Sequence, residues 1–309
     1  MWLKRNSFDD DAIFYWQQAR QFFLAAQKLP LTSAPLTHYY CMLNATKTLL
    51  LVHNTSFSNY HGVTGETIKK KISLSNEKII LKEGGVLPAL CSHLGEKVVK
   101  NETYTLKEIF YNLPFIHRAY TLTYKSEQDK ELFIPIKSPC FVRKASSRES
   151  WFCFELEDDY ASKHTVNKLP KNYEQDIGQK DKFVIRNKKR FTWDRSDSNK
   201  LQKLTNYHFK IRRNIYFISG FTRLWYIKRA GVDNIISRQS MPLIFCAMHR
   251  LSELSRYDPV TLSKHLNGQQ NWLISEFISK ATNQFLDEVS SEITGKELMM
   301  PGIAAESRE

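Results

Sequence analysis

Apolar side chains recur at helical spacing in residues 9–29. Tyr15, Ala19, Phe22, Ala26 and Leu29 follow one another at intervals of 4, 3, 4 and 3, which places them on one helix face. Asp9, Asp10 and Asp11 stand at the start of that segment, where the helix dipole favours anions, and Pro30 ends it. Thr32 or Ser33 can cap a second helix reaching about His53, with Leu36, Tyr40, Leu43, Ala45, Leu49, Leu50 and Val52 as its apolar positions. So short a connection predicts an antiparallel helical hairpin. Residues 54–104 are less regular and contain Asn54-Thr55-Ser56, His61-Gly62, Lys69-Lys70-Lys71 and Gly84-Gly85. Helical spacing returns over 105–120, with a Thr105 cap and Leu106, Ile109, Phe110 and Leu113 ahead of Pro114.

From about residue 131 the period changes. Leu132–Ile136, Cys140–Arg143, Trp151–Leu156, Phe183–Arg186, Tyr207–Arg212, Ile215–Ser219 and Leu224–Ile227 are short aromatic or β-branched runs. Polar residues separate them, as antiparallel strands require. Residues 158–182 and 194–203 read as long loops. The tail is helical again. Ser240 can cap a segment with Pro242 in its first turn, lined by Ile244, Met248, Leu251 and Leu254. Asp258-Pro259 marks a break and a restart, and a last helix over about 269–290 carries Ile274, Phe277, Ile278, Ala281 and Phe285. Residues after Gly295 read as frayed. The expectation is an α+β chain in three regions: helical 1–120, β-rich 121–235 and helical 236–309. The two helical ends complete one bundle around or beside a central antiparallel insertion. No internal repeat is present.

Charge changes the picture of the middle. The chain of 309 residues carries a net +13. Residues 118–229 hold 25 Lys and Arg against 13 Asp and Glu, or +12, while residues 1–117 carry +4 and residues 230–309 carry −3. A concentrated basic region is the electrostatic footprint of a polyanion partner. Three clusters supply the candidates: Arg186, Lys188, Lys189 and Arg190 beside Trp193 and Arg195; Lys210, Arg212 and Arg213; and Arg223, Lys228 and Arg229 beside Trp225 and Tyr226. On a strand, Lys188 and Arg190, or Lys210 and Arg212, share a face. Cations there can hold phosphates while Trp193, Trp225 or Tyr226 stack on bases. The competing reading makes the aromatics core and the cations a solvated face.

His53, His61 and Lys47 form a second constellation. Histidine can act as general acid or base near neutral pH, and Lys47 can contact phosphate. In the competing reading His53 caps a helix end and His61 starts a turn before Gly62. Glu155, Glu157, Asp158 and Asp159 can in principle bind Mg²⁺, but no Glu-x-Lys follows, which favours a solvated acidic loop. Phosphate-loop, dinucleotide, zincin and serine-hydrolase motifs are absent, and no cofactor is implied. Five scattered cysteines, Cys41, Cys91, Cys140, Cys153 and Cys246, form no C-x-x-C pair, so a zinc or other metal site is not expected and reduced, largely buried thiols are. With no apolar run of membrane-spanning length and no signal-like start, the expected location is the cytoplasm, without membrane association.

The segment Thr37-His-Tyr-Tyr-Cys-Met-Leu-Asn-Ala-Thr-Lys-Thr-Leu-Leu-Leu-Val-His53, followed by His61-Gly62-Val63, resembles the YaaC-like family. So do Leu113–Tyr120 and Pro242–Pro259 with the helix after it. The resemblance is strongest at the helical ends. That family has no settled activity, and many members are encoded beside phage-defence or restriction genes. The Tyr-Tyr…Ala-x-Lys-x-Leu-Leu pattern with His-Gly-Val shortly after is also similar to HEPN-type helical bundles. Their active members are metal-independent ribonucleases that use Arg and, four to six residues on, His in a dimer cleft. Here no Arg precedes His at that spacing. Lys47 precedes His53 by five intervening residues, and Lys offers a point charge where Arg offers a fork. These resemblances imply a HEPN-like bundle, a homodimer and a defence or restriction-like setting, and the localised charge with the missing catalytic motifs leads to a non-catalytic subunit that binds nucleic acid (DNA or RNA) or docks a protein partner. The alternatives are a divergent HEPN-type ribonuclease using Lys47, His53 or His61, and a structural subunit that meets an acidic protein.

Overall fold

A computed structural model describes residues 2–6, 8–126, 131–144, 147–178, 182–194, 196–218, 224–294 and 304–308. In chain order, α1 (Trp2–Arg5), α2 (Asp10–Ala26) and α3 (Ala34–Val52) open the fold. Then come β1 (Val63–Thr67), β2 (Glu77–Leu81), α4 (Val86–His93), β3 (Thr103–Thr105), α5 (Leu106–Tyr111) and α6 (His117–Thr123). The middle holds β4 (Phe133–Lys144), β5 (Glu149–Leu156), α7 (Lys163–Asn167), β6 (Tyr173–Gln175), β7 (Val184–Asn187), β8 (Phe191–Thr192), α8 (Lys200–Ile211), β9 (Ile215–Ile218) and β10 (Leu224–Lys228). The end holds α9 (Ser240–Tyr257), α10 (Pro259–Leu266), α11 (Asn271–Thr294) and β11 (Ala304–Arg308). The chain is therefore α+β. It divides into a helical unit, Met1–Asp129 with Asn234–Thr294, and a sheet unit, Lys130–Asp233 with Gly295–Glu309.

In the helical unit the expected hairpin forms, and α9 and α11 pack against α3. The caps follow the sequence. Asp9 accepts from the Asp11 backbone N–H, and Asp258 accepts from Thr261 at the start of α10, with Pro259 in its first turn. Thr105 and Glu108 close a capping box on α5. Three expectations change. The helix over 105–120 breaks after Tyr111, because Pro114 bars helical backbone at Leu113, and resumes as α6. Leu29 lies beyond the end of α2 and is 40% exposed. Residues 54–104 are more ordered than their sequence suggests. They hold α4 and the antiparallel sheet β1–β2–β3, in register from Val63 against Leu81 to Thr67 against Glu77.

The sheet unit is built on the order β6-β7-β5-β4-β10-β9, all antiparallel, with β8 paired to β5. Leu132–Ile136 and Cys140–Arg143, which read as two strands, are one strand. Ser138 at φ 47° and Pro139 are absorbed in a bulge between Lys137 and Cys140. One core holds Ile134, Ile136, Phe152, Phe154, Ile185, Trp225 and Ile227 under Tyr207 and Ile211 of α8. A smaller one holds Cys140, Val142, Trp151, Cys153 and Val184. Tyr207–Arg212, expected as a strand, is the end of α8. Tyr207 and Ile211, one helical turn apart, both reach that core, so tertiary burial overrides local β preference. The loop expected over 194–203 ends where α8 begins. The loop expected over 158–182 contains α7 and β6. Ala304–Arg308, read as frayed, runs parallel along β4 from Cys140 to Lys144. All five cysteines are buried, with Cys140 Sγ and Cys153 Sγ 3.2 Å apart. No described helix is long and apolar enough to cross a membrane.

Candidate functional site

His61 is held by backbone geometry that only glycine allows. Gly62 has φ +79° and Gly85 has φ +126°, and a Cβ on Gly85 would lie 2.6 Å from the Tyr60 carbonyl oxygen. This close approach lets the Val86 and Leu87 N–H groups, at the start of α4, donate to the Tyr60 and His61 carbonyls at 2.8 and 3.1 Å. The His61 ring then meets Tyr39 of α3, with Tyr39 Oη and His61 Nδ1 2.5 Å apart. Burial keeps the Tyr39 phenol protonated well above its ordinary range. Its proton has no other acceptor among the described residues, so Tyr39 donates and Nδ1 accepts. His61 is thereby the Nε2–H tautomer. Burial and the charge of Lys47 lower its pKa, so the ring is neutral near pH 7.

Behind His61 lies a chain of buried polar groups. The Tyr39 ring meets the His249 ring edge-on at 4.9 Å. Burial, His61 and Arg250 together lower the His249 pKa to about 3, and His249 Nδ1 is a buried atom without a hydrogen bond, 3.8 Å from Glu253 Oε1. Glu253 Oε2 accepts from Arg250 Nη1 at 3.0 Å, and Glu253 Oε1 accepts from the Gly65 N–H at 3.2 Å. Burial raises the Glu253 carboxyl, with Arg250 and Gly65 working against the rise. Arg250 also donates twice to Glu77 Oε2, at 2.7 and 3.1 Å. Glu77, 1% exposed, accepts on Oε1 from His265 Nε2 at 3.1 Å and on Oε2 from Thr67 at 3.0 Å. Burial acts to raise the Glu77 carboxyl, but the bonds from His265, Arg250 and Thr67 outweigh it and hold it low. Gly65 makes room for this packing, since a Cβ there would sit 2.4 Å from Arg250 Cδ.

The structure separates the histidines that the sequence grouped. His53 caps α3 and its Nε2 lies 3.0 Å from the Glu292 carbonyl oxygen, with its ring 4.7 Å from that of His93. Lys47 projects from α3 over the Tyr15 ring at 4.8 Å and has no carboxylate partner among the described residues. Tyr39, His249, Arg250, Glu253, Glu77 and His265 were not singled out from the sequence. The spacing of His249, Arg250 and Glu253 places them on adjacent faces of one helix, and that was the available signal. Their convergence with β1 and β2 was not.

In the sheet unit the candidate cations fall into three kinds. Some are committed within the fold. Arg186 pairs with Glu174 and Asp176 at 2.9 and 3.5 Å. Arg190 donates to the Asn187 carbonyl at 2.6 Å and lies 4.4 Å from the centre of the Trp151 ring. Lys228 is 4% exposed, 5.9 Å from the Tyr216 ring. Others remain open to solvent. Lys188 keeps its charge outward while donating to the Lys171 carbonyl, and Lys189, Lys210 and Arg213 are exposed. Arg212 and Arg229 are intermediate, and Arg223 and Arg195 lie outside the described residues. Lys210 and Arg212 do not share a strand face. Lys210 is in the last turn of α8 and Arg212 is its cap, so the two point apart. Trp225 belongs to the core, and Trp193 and Tyr226 are half-buried. The turn after β7 is joined to α8 by Tyr207, whose hydroxyl donates to the Lys189 carbonyl at 3.0 Å and whose ring lies 4.6 Å from Phe191.

The acidic run after β5 is dispersed. Glu155 pairs with Lys182 at 2.8 Å and Asp158 with Lys137 at 3.6 Å. No group of three or more His, Cys, Asp or Glu placed to hold a metal occurs among the described residues.

A family model described as YaaC-like Protein matches residues 4–293, and the chain belongs to that family. No curated protein and no solved structure matches it.

Proposed function

We propose that this YaaC-like protein is a nucleic-acid-binding subunit whose sheet unit carries the contact surface, without chemistry of its own there. The family resemblance suggests a bacterial phage-defence or restriction-like setting, with a protein partner alongside. The observation that carries the reading is where the charge resides. The sheet unit has 25 Lys and Arg against 15 Asp and Glu, +10, whereas the helical unit has 20 against 17, +3. Lys188 and Lys189 extend this charge into solvent from a turn that Tyr207 fixes to α8, whose last turn carries the exposed Lys210. Phosphate contacts of this kind bind without reading bases, because the attraction comes from counterion release.

The test is binding of duplex DNA and single-stranded RNA across a salt series. Each phosphate contact contributes about 0.7–0.9 to the slope of log affinity against log salt. Lys188→Glu with Lys189→Glu reduces the magnitude of that slope by about 2. Undetectable binding, or affinity indifferent to salt, defeats the proposal.

In the ribonuclease alternative, His53 Nε2 lies at the Glu292 carbonyl and Lys47 over the Tyr15 ring. RNA incubated in EDTA, with His61→Ala and His53→Ala alongside, tests it. Cleavage that survives both changes, or no cleavage at all, removes it.

A further inference from the structure

Two of the five cysteines face each other across the sheet unit. Cys140 of β4 and Cys153 of β5 are directly opposed in the antiparallel ladder, and their Sγ atoms lie 3.2 Å apart. Opposed residues of such a ladder have Cα atoms about 4.5–5.5 Å apart, within the span of about 4.4–6.8 Å that a disulfide bridges. A bond between the two sulfurs therefore needs a small approach of the side chains and no movement of the strands.

The bulge in β4 creates this meeting. Before it, Lys137 opposes Glu155, and after it Cys140 opposes Cys153. An unbroken ladder would set Pro139 against Cys153 and Cys140 against Phe152. It would also turn Cys140 to the face of Ile136, into the larger core. With the extra residue, Cys140 and Val142 join Trp151, Cys153 and Val184 in the smaller core. Cys140 is 5% exposed and Cys153 1%. The other three thiols stand on helices of the other unit, Cys41 on α3, Cys91 on α4 and Cys246 on α9. Burial pushes Cys41 and Cys91 up to about 12 and holds Cys246 well above its ordinary value, which makes all three poor nucleophiles.

We propose that Cys140 and Cys153 are a reversible oxidation site, which hydrogen peroxide converts to a cross-strand disulfide. Cys140, the more exposed of the two, reacts first. Its sulfur attacks one peroxide oxygen and the O–O bond breaks. A sulfenic acid forms, and the thiol proton leaves with the departing hydroxide as water. Cys153 then attacks that sulfur. The S–O bond breaks, the S–S bond forms, and the Cys153 proton leaves with the hydroxyl as a second water. Both sulfurs are oxidised and both peroxide oxygens reduced. An added dithiol reverses the change by thiol–disulfide exchange. The bond ties β4 to β5 beside Trp151, which lies on the same face and whose ring carries Arg190, the residue after Lys188 and Lys189.

The experiment treats the reduced full chain with a small excess of hydrogen peroxide, denatures it in N-ethylmaleimide and counts labels by mass spectrometry. The reduced chain is expected to carry five labels and the oxidised chain three, with the tryptic peptide of Cys140 linked to that of Cys153. Dithiothreitol is expected to restore all five. Oxidation in urea is expected to scatter links among the five cysteines, since the ladder that selects the pair is gone. Cys153→Ser is expected to stop at a Cys140 sulfenic acid that dimedone traps, and Cys140→Ser to keep every remaining thiol. Five labels after peroxide, or labels lost without the Cys140–Cys153 link, overturns the site. So does a scatter of links in the folded chain equal to that in urea. The peptide map of the unsubstituted chain decides the question even where a variant does not fold. Its readout is covalent, so a failure of nucleic-acid binding leaves it standing.

Discussion

The helical and sheet units spend their charges differently. In the helical unit the charges that matter are few and buried. Arg250 lies between Glu77 and Glu253, and Arg238 between Glu96 and Glu102, each at 6–7% exposure. In the sheet unit the charges are many and mostly outside. Some that are bonded reach backbone carbonyls, as Lys188 and Arg190 do, and Arg186 reaches the partly exposed Glu174 as well as the buried Asp176. The same residue types therefore do two kinds of work. A buried guanidinium is worth its partners, because removing one side strands the other in a low dielectric. An exposed ammonium is worth little to folding and much to a passing polyanion. The overall charge of +13 reports the second kind almost alone.

The largest effect that can break this contrast is Arg250→Met. It leaves Glu77 buried without its cation, and the expected loss is about 3–5 kcal/mol of unfolding free energy in urea. Arg186→Met, in the sheet unit, is expected to cost less, about 1–2 kcal/mol, since Glu174 is partly exposed and only Asp176 is buried. Equal losses would erase the distinction. Gly65→Ala comes next. Its Cβ would lie 2.4 Å from Arg250 Cδ and 2.6 Å from Glu253 Oε2, and the expected cost is about 1–3 kcal/mol by the same measurement. A neutral result would mean that the network shifts freely.

Acid should weaken the helical unit through its buried histidines. Burial lowers His38 from the ordinary 6.5 to about 4, and His249 to about 3. A folded-state pKa below the unfolded value gives stability that is full above pH 6.5. That stability drains as pH falls toward the folded pKa, because the unfolded chain takes up the proton first. Glu253 acts the other way, its carboxyl being held above its ordinary range by burial. Between pH 6.5 and 4 each histidine contributes a slope of about 1.4 kcal/mol per pH unit. His249→Gln should remove one such slope in thermal unfolding across that range. An unchanged slope would show that His249 charges freely in the folded state. Smallest for stability is Lys188→Glu with Lys189→Glu, expected within about 0.5 kcal/mol of the parent chain. A larger destabilisation would mean that those lysines are structural and would remove the basis for the binding surface.

Much of the helical frame was legible. The three-and-four spacing of Tyr15, Ala19 and Phe22, the Asp258-Pro259 restart and the Thr105 cap are local signals, and each appears where the chain places it. Strands β5, β7, β9 and β10 were legible for the same reason. The second half of β4 was not, since Pro139 reads as a break and only the partner strand shows that a bulge absorbs it. α8 was misread because Tyr207, Phe209 and Ile211 suit either period, and the sheet beneath them decides. At the candidate sites, the composition of the basic region could be counted, but not which cations were already engaged. His61 was visible beside Gly62, yet nothing local joins it to Tyr39, 22 residues earlier, or to His249 on α9.

The sequence by itself determined the elements whose signals lie within one or two turns, the excess of positive charge in the middle, and membership of the family at the ends. Tertiary structure alone decided which charges meet. It set Glu77 against Arg250 across 173 residues and His265 against Glu77 across 188. It also seated His61 against Tyr39 and His249, and closed the Arg186 and Arg190 side chains onto their own sheet. The physical reason is range. Capping, periodicity and net charge are sums over neighbours in the chain. A hydrogen bond in a core depends on distances that exist only once the elements have packed.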